Sequence, residues 1–509
     1  MRLKKLTKET LEQSFGKKIC CVECSIEYLQ ELIKKYSVEV ELIIEERKAK
    51  HGKVELNGRE IPVRSYCALD QMEFSEWLFV ITGDYYRELY DSLRDSGYFT
   101  DLKEVYYFAN QETEYEEEFR EKYKSHILEN IIVFRSGPHI NSYIKGMDFT
   151  DNARALFEYM LEQGYHEKYE LVWLVKNPKE FKRYSINKNV KFISMEWSVS
   201  PVYEEREEYY RVLCLAKVFF FTDAYGFVRN ARADQIRVQL WHGCGYKTRL
   251  NFSPCETRYE YTTVTSILYA KIHQELFGLR TEQMLVTGCA KQDWLFAKPE
   301  VAYRKRLGLP KGKKYIYWLP TYRKAADVLS QKNGYEMNQE TGLPIVDSED
   351  KLMQVNRLLQ EREIVLVIKP HPYQATESIA KVSFSNIILL DNAHLFAEDI
   401  QVNQLLSEAD ALISDYSSVA VDYLALDRPM AFVLEDVEEY EKKRGFIFEN
   451  IREYLPGAEI DSYEVFCDFL KAVSEGKDIE IKKRTHLRKL LNGHCDNKNC
   501  KRIVDKLGL

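Results

Sequence analysis

The stretch VQLWHGCGYKTR, residues 238–249, passes from an apolar run directly into a histidine, two glycines and two cations. An apolar run of this kind is typical of a strand that is buried within a parallel α/β sheet. Ligands of such sheets bind beyond the carboxyl ends of the strands, where loops and helix N-termini meet. The stretch therefore predicts an α/β fold with a ligand site at His242.

Short apolar runs alternate with charged amphipathic stretches along the rest of the chain, which is the pattern of stacked βα units. The 509 residues, 45% of them hydrophobic, exceed what one core usually holds. We place boundaries at a charged run, residues 111–125, which we interpret as a solvated helix face, and at a basic run, residues 303–314. The predicted domains are residues 1–125, 126–310 and 311–509.

The first predicted domain shows the alternation of a small Rossmann-type unit but lacks its glycine fingerprint. The segment CVECSIEY, residues 21–28, stands where that fingerprint would be expected. A dinucleotide-binding role is therefore not predicted. The sequence assigns this N-terminal domain no role.

Composition argues against several classes of partner and site. The formal net charge of −7 gives no general attraction to nucleic acid, so no nucleic-acid partner is expected. The N-terminus lacks the apolar core of a signal peptide and the 11 cysteines are scattered, which favours a reducing, cytoplasmic location. Cys21, Cys24, Cys495 and Cys500 have only loosely zinc-like spacing, and neither a metal nor a cofactor is predicted.

Four predicted strands end in polar residues. These residues are His242; Thr321 and Arg323; Lys369 and His371; and Ser414, Asp415, Ser417 and Ser418. Helix capping and stiff turns can explain each strand end taken singly. Hydroxyls, cations and imidazoles with few carboxylates at four strand ends are together the chemistry of a phosphate site.

Several motifs resemble, in this order and at credible spacing, those of the CDP-glycerol glycerophosphotransferases that build teichoic acids and related capsular polymers. The motifs are QLWHG, LPTYR, IKPHP, ISDYSSVAVDYLALDRPM and YEKKRGFIFEN, and the resemblance covers residues 126–509. It implies a GT-B fold with two Rossmann-type lobes, an acceptor-side lobe at 126–310 and a donor lobe at 311–509. This chain adds an N-terminal α/β domain.

The resemblance also implies a reaction. Glycerol phosphate, or a related polyol phosphate, is transferred from CDP-glycerol or another CDP-alcohol to a hydroxyl of a lipid-linked, teichoic-acid-like or capsular polymer, and CMP is released. An enzyme of this kind works as a peripheral protein at the inner face of the cell membrane. The expected partners are therefore the CDP-alcohol, the polymer acceptor and the membrane surface.

Site residues follow from the same resemblance. His242 and His371 match the two catalytic histidines, and Ser417 and Ser418 stand where the donor pyrophosphate is held. Asp422 matches an acidic position that we expect to bind donor hydroxyls. The full set of expected substrate-binding residues is Gly243, Cys244, Gly245, Tyr246, Lys247, Lys291, Pro320, Thr321, Arg323, Lys369, Ser414, Asp415, Ser417, Ser418, Asp422 and Arg444.

Two positions depart from the family pattern. The family usually has Thr-Pro after the His-Gly pair, where this chain has Cys244 and Gly245, and Pro-Arg where it has Ala290 and Lys291. Lysine keeps the charge of arginine but loses its bidentate geometry. Since both departures lie where substrate is expected, glycerol phosphate, ribitol phosphate and a capsular repeat all stay open as the transferred group.

The implied mechanism is attack of an acceptor hydroxyl on the β-phosphorus, with His242 as general base and His371 beside Lys369 stabilising the pyrophosphate. Two other functions stay open. A GT-B glycosyltransferase with a nucleotide-sugar donor would share the architecture; no Asp-x-Asp motif of the metal-binding GT-A kind is present. A catalytically inactive module of capsule assembly is the other, and the presence of both histidines counts against it.

Overall fold

The computed structural model describes residues 1–45, 52–83, 86–99, 101–137, 147–184, 186–222, 231–248, 259–297, 305, 307–320, 341–370 and 384–509, without the side chains of 443 and 444. Within these ranges the strands form three sheets, which we name the first, middle and third sheet in chain order. Seven strands belong to the first sheet, seven to the middle sheet and six to the third.

The first sheet contains β1 (Arg2–Lys5), β2 (Lys18–Val22), β3 (Val40–Ile44), β4 (Gly52–Leu56), β5 (Arg59–Arg64), β6 (Trp77–Ile81) and β7 (Glu104–Tyr107). The middle sheet contains β8 (Glu129–Arg135), β9 (Glu170–Val175), β10 (Val190–Ser194), β11 (Ala216–Phe221), β12 (Ile236–Gln239), β13 (Tyr261–Val264) and β14 (Met284–Val286). The third sheet contains β15 (Lys314–Trp318), β16 (Ile364–Ile368), β17 (Ile387–Leu389), β18 (Ala411–Ser414), β19 (Met430–Val433) and β20 (Ala458–Ile460).

The described α-helices, numbered in chain order, alternate with these strands. They are α1 (Lys8–Gln13), α2 (Ile26–Tyr36), α3 (Tyr86–Asp95), α4 (Gln111–Tyr123), α5 (Asp151–Glu162), α6 (Tyr203–Leu215), α7 (Ile267–Phe277), α8 (Glu349–Glu361), α9 (Asn392–Ala397), α10 (Val402–Leu406), α11 (Val419–Leu424), α12 (Val437–Arg444), α13 (Tyr463–Ser474), α14 (Ile481–Leu491) and α15 (Asn499–Leu507).

Parallel pairing dominates all three sheets, so the predicted α/β class is confirmed. Among the described strand pairs only β4 and β5 run antiparallel. The central strands are apolar along their whole length because both faces are covered. In the middle sheet, for example, α5 packs on one face with Phe134 and Trp173, and α6 packs on the other with Ile131 and Val133.

The order of strands places a switch point in both the middle and the third sheet. The middle sheet runs β10-β9-β8-β11-β12-β13-β14, and the third runs β17-β16-β15-β18-β19-β20. In the third sheet the chain builds outward from β15 in one direction and then from β18 in the other. The loops that follow two such neighbouring strands run in opposite directions and leave a crevice between them, where ligands of this fold class bind.

Helix α4 has the predicted solvated face and, in addition, a buried face that was not predicted. It spans most of the charged run and its first turn is capped by Asn110, whose side chain accepts a hydrogen bond from the backbone N–H of Thr113. Phe119 and Tyr123 nevertheless lie in the same apolar cluster as the outer face of the middle sheet. Acidic residues dominate the sequence of α4, but apolar residues that recur every third or fourth position form one face, and this face suffices to pack the helix against the sheet.

The last helix, α15, returns to the middle sheet after α13 and α14 have packed beside the third. Its residues Cys500, Ile503 and Val504 lie in the core between the middle sheet and α5. Cys21, in β2, belongs to the core of the first sheet, so two members of the loosely zinc-like set lie in separate cores. None of the helices in the described part of the chain has the length and apolar character needed to cross a membrane.

Candidate functional site

The loop after β12, which contains His242, brings Gly243 and Gly245 against Ser418, the residue that precedes α11. Gly243 has φ 124°, a backbone conformation that residues with a side chain rarely adopt. A Cβ atom at Gly245 would lie 3.0 Å from the Cβ of Ser418, and one at Gly243 would lie 3.4 Å from the Oγ of Ser418. The two glycines are therefore needed because the loop of the middle sheet touches the serine loop of the third.

The imidazole of His242 contacts a carboxylate that the sequence did not single out. The Nδ1 atom of His242 lies 2.7 Å from Oδ2 of Asp151, the first residue of α5. The imidazole is 53% exposed, whereas the Asp151 side chain is 14% exposed. When Nδ1–H donates to the carboxylate, Nε2 is left unprotonated and accessible, which is the state that a general base requires.

Lys291 joins this pair to the third sheet. Its Nζ lies 3.0 Å from Oδ1 of Asp151 and 3.3 Å from Oδ2 of Asp422, and it also donates to the backbone carbonyl of His242. Asp422 belongs to α11 and is fully buried. One ammonium group therefore connects residues of the middle and third sheets beside the histidine.

The charges of this cluster shift the pKa of each member. Burial opposes the ionisation of Asp151, but the charge of Lys291 and the hydrogen bond with His242 outweigh it and hold the pKa of Asp151 below its ordinary value. Burial likewise opposes the charge of Lys291, yet Asp151 and Asp422 together raise its pKa. Burial raises the pKa of Asp422 to about 6. Asp151 and Lys291 are therefore a permanent ion pair at neutral pH.

Three expected residues lie at adjacent strand ends of the third sheet. Pro320 follows β15, Lys369 follows β16 and Ser414 ends β18, with the Oγ of Ser414 donating to the carbonyl of Leu319 at 3.3 Å. Lys369 is 8% exposed and donates to the carbonyl of Pro370 at 3.2 Å. Burial lowers the pKa of Lys369 to about 8, against the opposing charge of Asp391.

The loop after β18 brings its polar residues toward the same edge. Asp415 is fully buried, and the Oγ of Ser417 accepts a hydrogen bond from the N–H of Val419 at 3.5 Å. Ser418 directly precedes α11, and its side chain makes no capping hydrogen bond to that helix. The hydroxyl therefore faces the glycines of the middle sheet's loop and not its own helix.

The next expected residues of the loop point into the core. Cys244 is 1% exposed, and its thiol interacts with Cys289 and His273. Tyr246 is fully buried between the two layers, with ring centroids 6.3 Å from Phe432 and 6.4 Å from Phe448. Both side chains thus anchor the loop of His242 in the core.

Lys247 extends the same connection between the layers by pairing with Phe446 as an isolated antiparallel bridge. The neighbouring N–H of Ile447 donates to the carbonyl of Tyr246 at 2.9 Å. Thr321, Arg323 and His371 lie outside the described residues. The backbone of Arg444 ends α12, and its side chain is not among those described.

Asp151 is the residue that sequence reasoning missed. It comes after strand β8 in the chain and is the first residue of a helix, so its position at the carboxyl edge of the middle sheet could have been read from the segment FTDNARALFEYM, residues 149–160. An acidic residue in the first turn of a helix is common, however, because it complements the helix dipole. Its φ of 64° is a further sign that the site constrains this residue.

Known proteins resemble this chain in sequence and fold. A family model described as CDP-glycerol:poly(glycerophosphate) glycerophosphotransferase matches residues 118–508. A teichoic acid poly(glycerol phosphate) polymerase of Staphylococcus epidermidis is 26% identical over 340 residues, 61% of this chain and 42% of that protein. A teichoic acid ribitol-phosphate primase of Bacillus spizizenii is 24% identical over 318 residues, 58% of this chain and 75% of that protein.

The fold likeness extends further along the chain. A solved structure of the wall teichoic acid polymerase TagF superposes with a TM-score of 0.57 at 21% identity, covering 83% of this chain and 97% of that one. This chain spans less than half the length of the first relative named above. The family match nevertheless extends over more than half of this chain, and the protein belongs to the CDP-glycerol:poly(glycerophosphate) glycerophosphotransferase family.

Proposed function

We propose that this protein transfers a polyol phosphate from a CDP-alcohol to a hydroxyl of a teichoic-acid-like or capsular polymer and releases CMP. The observation that carries the proposal is the His242–Asp151 contact, which lies opposite the serine loop of the third sheet. An oriented imidazole facing a phosphate-type site supplies a base at the point where a hydroxyl would attack a phosphoryl group. Family membership supports the same reaction.

The proposed step is a substitution at the β-phosphorus of the donor. The acceptor oxygen bonds to the β-phosphorus of the donor while the bond between that phosphorus and the bridging oxygen breaks, so CMP leaves with the bridging oxygen. The acceptor's proton passes to Nε2 of His242, and Asp151 stabilises the imidazolium that forms. Lys291 keeps Asp151 ionised.

We place the donor at the edge of the third sheet. Pyrophosphate is a ligand suited to hydroxyls, backbone N–H groups and cations, which meet where β15, β16 and β18 end. His371 would bind the pyrophosphate there beside Lys369. The further residues proposed to bind substrate are Gly243, Gly245, Lys247, Lys291, Pro320, Thr321, Arg323, Ser417, Ser418 and Arg444. The buried side chains of the expected set would act by supporting these residues; they are Cys244, Tyr246, Ser414, Asp415 and Asp422.

The domain arrangement is part of the proposal. Residues 126–310 and 311–509 would be the acceptor and donor lobes of a GT-B enzyme, with residues 1–125 as an added domain. We infer a lipid-linked acceptor and therefore a peripheral position at the inner face of the cell membrane. The relatives include both glycerol-phosphate and ribitol-phosphate enzymes, so both CDP-glycerol and CDP-ribitol are donors to test.

Nucleotide release tests the reaction directly. The full-length protein is incubated with CDP-glycerol, CDP-ribitol or a UDP-sugar, together with a synthetic glycerol phosphate oligomer on an alkyl chain. We expect acceptor-dependent release of CMP from one of the CDP-alcohols. Release of a uridine nucleotide alone would support the glycosyltransferase alternative, and no release from any donor would support a binding module.

Donor affinity should decrease as the pH rises above 8. Lys369 loses its charge around that value in the free protein, and an anionic pyrophosphate favours the charged form, so binding takes up one proton. The dissociation constant for CDP-glycerol should rise up to about tenfold per pH unit between 8 and the ordinary lysine range, as single-proton linkage requires. Calorimetry in two buffers of different ionisation enthalpy measures the proton uptake.

Two arginine variants separate Lys369 from other titrating groups. Lys369→Arg stays charged and should bind with a flatter pH profile and no proton uptake in this range. Lys314→Arg serves as the control, because its Nζ contacts backbone carbonyls of α13 at the opposite end of the neighbouring strand. An unchanged pH profile in Lys369→Arg would show that this lysine does not contact the donor.

A further inference from the structure

The residue before His242 has an unusual backbone. Trp241 has φ 51°, in the left-handed region that bulky side chains rarely enter. Its indole ring stacks on Phe277 with centroids 5.0 Å apart, so the side chain is fixed as well. A non-glycine residue in this conformation persists only where its surroundings enforce it, and such residues cluster at functional sites.

Two buried amide side chains hold the peptides on both sides of Trp241. Oε1 of Gln239 accepts a hydrogen bond from the N–H of Trp241 at 2.9 Å. Nδ2 of Asn152 donates to the carbonyl of Trp241 at 2.8 Å and to that of Leu240 at 3.2 Å. Both Asn152 and Gln239 are fully buried. Hydrogen bonds to both the N–H and the carbonyl of Trp241 thereby stabilise its left-handed backbone.

Asn152 also fixes the second loop of the site. Its Oδ1 accepts a hydrogen bond from the backbone N–H of Lys291 at 3.0 Å. The adjacent residue, Asp151, contacts the side chains of His242 and Lys291. Two consecutive residues at the start of α5 therefore hold the same two loops. Asp151 binds side chains of these loops, and Asn152 binds their main chains.

We propose that Asn152 and Gln239 are positioning residues for phosphotransfer: they keep Trp241 left-handed, and this turn directs the imidazole of His242 toward Asp151 on one side and the acceptor on the other. The proposal rests on the proposed function of His242 as general base. Asn152 and Gln239 touch no reacting atom and act through His242. Their loss changes the geometry of the base while the donor site on the third sheet stays intact.

Asn152→Asp is the first variant to test. Aspartate can still accept from the N–H of Lys291 but cannot donate to the carbonyls of Leu240 and Trp241. Misplacing a catalytic group by about 1 Å costs roughly 100-fold in rate, so we expect a decrease of about that size in kcat. The KM for CDP-glycerol should change less than about twofold, because the donor is bound elsewhere.

Asn386→Asp is the matched control. Nδ2 of Asn386 likewise donates to a strand carbonyl, that of Ile364, at 2.8 Å, but at the far end of the third sheet's strands. We expect its kcat to equal that of the wild type. If both aspartate variants lowered kcat to the same extent, loss of an amide that donates to a strand carbonyl would explain the effect and the positioning role would be wrong.

A double-variant cycle distinguishes positioning from general stability. In a His242→Ala background, Asn152→Asp should cost almost nothing further in kcat, since it acts only through the absent imidazole. Gln239→Met, which removes the acceptor for the N–H of Trp241 at similar size, should behave like Asn152→Asp and covers the case in which the latter does not fold. Additive losses in the double variant would overturn the proposal.

One measurement is independent of activity. The Nδ1 proton of His242, identified by its absence in His242→Ala, should give a downfield proton resonance from its bond with Asp151. This resonance should shift or disappear in Asn152→Asp and persist in Asn386→Asp. If it persists in both, the positioning role is wrong. A third outcome separates the two proposals. If the resonance is present in the wild type and lost in Asn152→Asp, but the wild type releases no CMP, the proposed function fails while the positioning role stands.

Discussion

Replacing His242 by alanine should abolish most of the turnover and leave donor binding almost unchanged. In the proposed mechanism the imidazole removes a proton from the acceptor and does not hold the CDP group, so its loss should affect the chemical step. Removal of a general base typically lowers kcat roughly 100-fold to 10,000-fold. Calorimetric titration of CDP-glycerol, measured beside CMP release, reads both quantities on the same protein.

The second histidine supplies the contrast. We expect His371→Ala to weaken donor binding as well as turnover, because a lost charge-assisted hydrogen bond to pyrophosphate costs about 1.5–3 kcal/mol. Lost donor binding in His242→Ala, with binding retained in His371→Ala, would reverse the two roles. Full activity in both variants would remove the mechanism altogether.

Asp151→Asn should lower turnover nearly as much as loss of the histidine. The amide keeps the size of the carboxylate and is tolerated at a positive φ, but it cannot stabilise the imidazolium or fix the tautomer. In enzymes whose base is a histidine oriented by an aspartate, this replacement costs up to about 10,000-fold in kcat. Steady-state CMP release at saturating CDP-glycerol measures the loss.

Asp148→Asn is the control for this variant. Asp148 is also buried and lies only three residues away, but its Oδ2 accepts from the backbone N–H of Lys176 at 2.9 Å, a bond that an amide oxygen can keep. We expect its turnover to stay within a few-fold of wild type. If Asp151→Asn retained full turnover, the contact with His242 would have no part in catalysis.

The α/β class and the polar strand ends could be predicted because both are local properties of the sequence. An apolar run followed by a histidine and glycines indicates a strand end whatever lies beside it. The docking of α4 could not be predicted in the same way. Its sequence is mostly charged, and the contacts that bury Phe119 come from helix α6, more than eighty residues further along the chain.

The centre of the site depends on contacts that periodicity does not report. Asp151 lies 91 residues from His242 in sequence and meets it only because β8 and β12 end at the same edge of the middle sheet. The left-handed backbone of Trp241 is likewise imposed by tertiary hydrogen bonds against the residue's own preference. The sequence departures at Cys244 and Lys291 do not indicate what these side chains contact; only the packing shows that the first is buried and the second is an ion-pair partner.

The position of Tyr246 constrains how the middle and third sheets can move relative to each other. The chain crosses from the middle to the third sheet between β14 and β15, and it crosses back between α14 and α15. Tyr246, only four residues from His242, lies in an apolar cluster that contains both Val264 of the middle sheet and Phe432 of the third. A hinge rotation of the layers would therefore pivot close to the loop of His242. In the proposed reaction, the parts of the site farthest from this loop would then move most when donor enters and CMP leaves, while the imidazole and Ser418 would keep a nearly constant separation.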